Sequence, residues 1–296
     1  MKRKTRIALG LAPLIFLCAI SAPSQTTNKP AGTRFGADRP DARRGLLWGA
    51  PTSAQDYVRE INGYIERGET NKAEARIREA LIETKNNPEL LVLAGHIFTE
   101  KRQFFLAEDY WGLLAQQFPS NAWAQACWGG MLLRVERWDK ADDVLSAARR
   151  MDPKELVARY NLACSRLHSG GELPLWMLDG LTTEEIGRIA TWISDEPDVL
   201  IGMLTEDGYR TLCRAVLTGE TRVRKMPTGG NESDLTVLTQ QMKDAAAAIW
   251  RAYQAQGRQD WPAALQALQG AQTLGATAPA IQNDMETCRS HTTPAR

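Results

Sequence analysis

The clearest order in the chain is a pattern of apolar and small residues that returns every 34 positions from about residue 54 onward. Ile61, Gly95 and Gly129 form one column, Ala73, Ala107 and Ala141 a second, and Ile77, Trp111 and Leu145 a third. Ala80, Leu114 and Ala148 make a fourth, and Pro119 with Pro153 a fifth. Apolar positions within each unit recur at helical spacing, so each unit reads as two amphipathic helices joined by a turn. Small residues in the first helix (Gly95, Gly129, then Ala163) and in the second (Ala73, Ala107, Ala141) let neighbouring backbones approach. Tyr64, Phe98, Trp111 and Leu145 fill the space between them. Proline stops the second helix because it lacks an N–H and its ring clashes with the preceding turn. A hairpin of this kind leaves one face bare, which the next hairpin must cover.

Past residue 170 the 34-residue register is lost while helical periodicity persists. Thr182 or Thr183 with Glu184 and Glu185 starts a helix that carries Ile186, Ile189, Trp192 and Ile193 on one face, and Asp195 and Pro197 end it. Residues 198 to 204 read as a short turn before a helix with Tyr209, Leu212, Cys213 and Val216. After a loop at 227 to 232, Ser233 or Asp234 is expected to cap a long helix through Trp250 and Tyr253. Another helix begins at Trp261 with Ala264, Leu265, Leu268 and Ala271, and a terminal helix spans 278 to 289. At the other end, order is expected to begin near Thr52 or Ser53, either of which can cap a helix.

Residues 1–21 have the pattern of an export signal: Lys2, Arg3, Lys4 and Arg6, an apolar stretch from Ile7 to Ile20, then small residues. Ala19 and Ser21 place small side chains where a signal peptidase reads, so cleavage is expected after Ser21. Cys18 follows Leu17 rather than a small residue, which argues against a lipid anchor. The apolar stretch is shorter than the about 20 residues a membrane span requires. Residues 22–52 are rich in Ser, Thr, Pro, Gly and Arg without apolar periodicity and read as a flexible tether. The expected organisation is therefore signal 1–21, tether 22–52, repeats 53–170, helical cap 171–232, and a hairpin with terminal helix over 233–290. No integral membrane span is expected after cleavage.

Across 296 residues the formal net charge is only +1, so no basic field exists to gather nucleic acid. The short basic run Arg222, Arg224, Lys225 reads as part of a solvated loop. Cys127, Cys164, Cys213 and Cys288 follow the signal without any CxxC pair, and their pairing stays open, a Cys213–Cys288 bridge included. No nucleophile elbow, phosphate-binding glycine loop or HExxH helix is present, so neither an enzyme nor a cofactor site is expected. Cys164 and His168 share a helix face at i, i+4, the spacing a metal or a nucleophile–base pair needs, but they supply only two ligands.

The columns resemble the tetratricopeptide repeat family over residues 54 to 170, with three full units and the first helix of a fourth, and the helix pair over 233–290 resembles, more weakly, one more hairpin of the same family. Leu91, Gly95, Phe98, Ala107, Trp111 and Pro119 match best, and Tyr160, Asn161, Leu162 and Ala163 open the fourth unit. Arg166, Gly170, Gly171 and Pro174 depart from the pattern. The resemblance implies an all-α, right-handed helical-hairpin solenoid with a helical cap, whose first helices line a concave groove for a protein or peptide partner. Carried onto this chain, the groove positions are Asn62, Ile65 and Glu66, then His96, Thr99 and Glu100, then Trp123, Gly130 and Arg134, and finally Tyr160, Cys164 and His168. Val58 stands where a carboxylate-clamping lysine would be needed, so binding of a chaperone tail is not implied. The expected function is an exported interaction scaffold of the cell envelope. The alternatives are a self-assembling structural subunit and a thiol or metal protein centred on Cys164 and His168.

Overall fold

The computed structural model describes residues 53–170, 173–220 and 232–292, and every regular element among them is helical. The export signal, the tether, the basic run at 222 to 225 and Gly171 lie outside the described residues. The chain forms two compact units that divide between Gln103 and Phe104.

The first unit holds α1 (Ala54–Glu66), α2 (Thr70–Glu83) and α3 (Pro88–Glu100). Ser53 caps α1 by accepting the Asp56 N–H, and Asn87 caps α3 by accepting that of Glu89, with Pro88 in the first turn, where its missing N–H costs nothing. Tyr57 and Ile61 of α1, Ala73 and Ile77 of α2, and Leu91 and Phe98 of α3 are buried. Tyr57 donates its hydroxyl to Glu83, and Lys101 pairs with Glu74.

The second unit begins with α4 (Phe104–Gln117), α5 (Ala122–Arg134), α6 (Trp138–Met151) and α7 (Leu156–His168). The glycine column is explained at Gly129, where a Cβ would meet Cγ of Leu145 at 2.5 Å, so α5 and α6 approach as only glycine permits. Carboxylates at one position of three successive second helices also recur at the 34-residue spacing. Glu74 takes Lys101, Glu108 takes Trp128 Nε1 at 2.8 Å and Arg137 at 3.0 Å, and Asp142 takes Arg166 at 3.2 Å.

The turns repeat as faithfully as the columns. Gly68, Arg102, Glu136 and Gly170, each 34 apart, have φ of 70°, 54°, 60° and 72°. Their N–H groups bond the carbonyls of Ile65, Thr99, Leu133 and Leu167. The following N–H groups of Glu69, Gln103 and Arg137 bond Tyr64, Phe98 and Leu132, the six-to-one closure of a left-handed helix cap.

No second helix of a fourth hairpin occupies the position the spacing would assign it. The chain instead makes a single 3₁₀ turn, Leu175–Met177, held by the buried Arg159, which donates to the carbonyls of Trp176 and Asp179. Then come α8 (Thr183–Asp195), closed by a reciprocal Thr182–Glu185 capping box, and α9 (Pro197–Thr218). Residues 198–204, read from sequence as a turn, are two turns of helix. Pro197 starts them, and Leu200 and Leu204, at i, i+4, give them a buried face. The helix breaks only at Thr205, with φ 64° and ψ 166°.

The last three helices are α10 (Glu232–Gly257), α11 (Trp261–Thr273) and α12 (Pro279–Thr292). Helix α10 starts at Glu232, so Ser233 and Asp234 fall inside it rather than before it. These helices repeat α5, α6 and α7 at an offset of 123 residues. Ala141, Leu145 and Ala148 correspond to Ala264, Leu268 and Ala271, all six fully buried. Glu136 corresponds to Gln259, which has the same φ of 60° and the same paired turn bonds. Trp138 stacks on His168 with ring centroids 3.5 Å apart, and Trp261 stacks on His291 at 4.2 Å. All four described cysteines are unbridged thiols, Cys213 and Cys288 included.

Candidate functional site

In the first unit the inner-face positions differ in how far they reach solvent. Glu66 and Glu100 are exposed, while Asn62, Ile65 and Thr99 are half-buried. Thr99 donates its hydroxyl to the Gly95 carbonyl at 2.7 Å, a bond within its own helix. His96 keeps part of its side chain in contact with solvent, yet burial pushes its imidazole down to about 4, so it is neutral near pH 7.

In the second unit most of the corresponding side chains are already engaged. Trp123 packs edge-on against the buried Trp111, with centroids 5.5 Å apart. The backbone of α5 comes close to α7 at Gly130, where a Cβ would lie 2.6 Å from the Asn161 amide. Arg134 is 12% exposed and places Nη2 2.7 Å and Nε 3.2 Å from Oε2 of Glu196, while Nη1 reaches the Gly130 carbonyl at 3.1 Å. Burial alone would lower this guanidinium, but Glu196 and the nearby Tyr160 hydroxyl outweigh it and the net shift is upward. Glu196 stands at the α8–α9 junction, 62 residues along the chain.

Tyr160 is buried against Trp192 of α8, with centroids 5.3 Å apart, and desolvation raises its phenol well above the usual range. Cys164 beside it is buried and its thiol is pushed up to about 12, the reverse of what an activated nucleophile requires. His168, stacked on Trp138, donates Nδ1–H to the Met203 carbonyl at 2.6 Å. The Cys164–His168 pair is thus a protonated thiol and an imidazole committed to backbone. Among the described residues no three His, Cys, Asp or Glu side chains are grouped as a metal site would need.

Two of the residues singled out on α5 and α7, Arg134 and His168, share one neighbour. Helix α9 packs on both first helices, with Glu196 on Arg134 at one end and the Met203 carbonyl on His168 at the other. Residues 196 and 203 of the chain thus bond to α5 and α7.

The C-terminal repeat is different, with Gly257 and His291 at the positions of Arg134 and His168. A cleft of about 930 Å3 opens there, lined by Tyr253 and Gln256 of α10, Ala280, Asn283 and Asp284 of α12, and the 178–186 segment. Tyr253 takes the place that Gly130 holds in the α5–α7 copy, and a large ring there stands where the earlier copy has none. Asp179, Glu184 and Asp284 are the charged residues of the lining, and no Lys, Arg or His is among the described residues that line it. The sequence reading did not single out this cleft. An offset of 123 is not a multiple of 34, and the signal that exposes it is the pattern Trp, Ala, Leu, Ala followed by a histidine 30 residues after the tryptophan, present at Trp138 and again at Trp261.

No protein-family model matches the chain, and no curated protein matches it. Among solved structures, a tetratricopeptide repeat protein from Parabacteroides merdae ATCC 43184 aligns over 81% of this chain and 85% of its own, with 15% identity and a TM-score of 0.41.

Proposed function

We infer that this chain is an interaction scaffold, exported across the inner membrane, that holds a segment of another polypeptide against the faces of its first helices. The observation that carries this reading is the seating of residues 196–204 across α5 and α7. That contact supports the reading because it pairs a carboxylate with a shielded arginine and a backbone carbonyl with a histidine donor. A repeat array supports such a role because some side chains on its successive first helices, Glu66 and Glu100 among them, reach solvent outside the hairpin cores.

Photo-crosslinking tests it. A benzophenone side chain at Glu66, Glu100 or Asn283 should capture a polypeptide partner from envelope extract, while the same group at the second-helix positions Arg78 and Asp143 should not. Capture from the second helices alone would overturn the reading. For export, residues 1–52 fused to alkaline phosphatase should give an active enzyme, since the phosphatase needs disulfides that form outside the cytoplasm. An inactive fusion would remove the envelope role and leave the scaffold to be tested in the cytoplasm.

A further inference from the structure

We propose that residues 196–204 are a built-in, displaceable ligand of the α5–α7 face, and that the partner of this face is a polypeptide segment with the same chemistry: a carboxylate leading two turns of helix with leucine-sized residues four and eight positions on. The proposal rests on the scaffold reading and specifies what one part of the scaffold holds.

Three observations carry it. Leu200 and Leu204 lie at i, i+4 on one helix face and are buried, and Glu196, the residue just before the helix, meets Arg134 with its carboxylate. The contact with α5 and α7 is that of a short amphipathic helix in a groove, fixed by a charge-assisted bond at its start and by His168 at its end.

The segment is also bounded by irregular backbone on both sides. Glu196 has φ −126° and ψ 49°, and Thr205 has φ 64° and ψ 166°, a region that essentially only glycine enters without strain. A β-branched residue held there marks a joint between two helical segments rather than the middle of a helix. Leu200 and Leu204 share one buried cluster with Ile186, Ile189 and Ile193 of α8 and with Tyr209, Leu212 and Val216 beyond the joint, so displacing the segment uncovers part of that cluster.

The C-terminal repeat keeps the same buried Ala–Leu–Ala row and the same Trp–His stack, while Gly257 stands where Arg134 does and offers no guanidinium to a carboxylate. The arginine clamp is thus an addition to the hairpin's architecture.

The test uses a fluorescein-labelled peptide of residues 194–206 and the intact chain. A Glu196→Lys, Leu200→Ala chain, in which the segment is repelled by Arg134 and has lost apolar contact, should bind the peptide at least about tenfold more tightly than the unaltered chain. Adding Arg134→Glu should remove the gain. Equal affinity of the altered and unaltered chains at unchanged helical circular dichroism overturns the proposal.

Hydrogen exchange on the unaltered chain decides the matter independently of whether the variants fold. Amides of 200–204 should exchange faster than those of 189–193 and 212–216, and equal rates would make the segment a fixed part of the core. If crosslinking succeeds but these amides exchange with the core, the scaffold stands and the built-in ligand falls. If the peptide binds the altered chain but no partner is captured, the face is confirmed as a peptide site and the scaffold role fails.

Discussion

Two glycine substitutions in the same compact unit should move stability in opposite directions. Replacing a glycine in a helix interior by alanine restricts the unfolded chain and by itself stabilises by about 0.5–1 kcal/mol. Gly270 lies inside α11 with nothing within 4 Å of an added Cβ, so Gly270→Ala should deliver that gain. At Gly129 the same methyl would stand 2.5 Å from Leu145 Cγ and 2.6 Å from its Cδ2. Leu145 is fully buried and has no space to retreat into, so overpacking of this kind costs about 1–3 kcal/mol and outweighs the propensity gain. Gly129→Ala should therefore be destabilised by up to about 2.5 kcal/mol, the difference between those two terms. Urea unfolding followed by far-ultraviolet circular dichroism measures both, provided the slope is unchanged so that the midpoints compare. A rise in both midpoints would show that α5 and α6 are not locked together through this glycine. The close approach inferred from the 34-residue column would then be wrong.

The turn at Glu136 holds an exposed non-glycine residue at φ 60°, so Glu136→Gly should gain about 1 kcal/mol and Gly170→Ala should lose a similar amount, both read by thermal melting. Arg134→Met leaves the Glu196 carboxylate shielded and unpaired and should cost about 2 kcal/mol, part of which Glu196→Gln restores; additive effects in the double-mutant cycle would deny the pair any coupling. His96 titrates near 4 in the folded chain and near 6.5 when unfolded, so between those values the unfolded state binds the extra proton. Stability is fully present above about pH 6.5 and falls as pH drops toward 4, by up to about 3 kcal/mol, and His96→Gln should flatten that part of the urea-midpoint profile. Burial pushes the thiols of Cys164 and Cys213 up to about 12, so iodoacetamide should leave both unmodified in the folded chain near neutral pH and alkylate them once urea is added. Rapid native labelling of either would contradict their burial.

The sequence by itself determined the helical hairpins. Ala73, Ala107 and Ala141 recur at 34 residues because each second helix meets its neighbours at the same close distance, and Pro119 and Pro153 follow helices that end two residues earlier. Such contacts are local in the chain and leave a periodic trace. The cap of α8 was legible for the same reason, since Thr182 and Glu185 answer each other within one turn.

What lies over the first helices was decided only in three dimensions. Arg134 carries no local sign that its partner is Glu196, and nothing adjacent to Met203 marks its carbonyl as the acceptor for His168, 35 residues earlier. Residues 198–204 have too little apolar periodicity over two turns to declare a helix, and they form one because the folded chain buries Leu200 and Leu204 in its common core. The second Trp–His stack shows the same limit. Its residues were in plain view, but the insertion of the cap moved them out of the 34-residue register, and the buried Ala–Leu–Ala row, the turn at Gln259 and the stack of Trp261 on His291 together match α10 to α12 to α5 to α7. Short-range packing writes itself into spacing. Long-range packing is a choice among many surfaces that the order of residues leaves open until the chain folds.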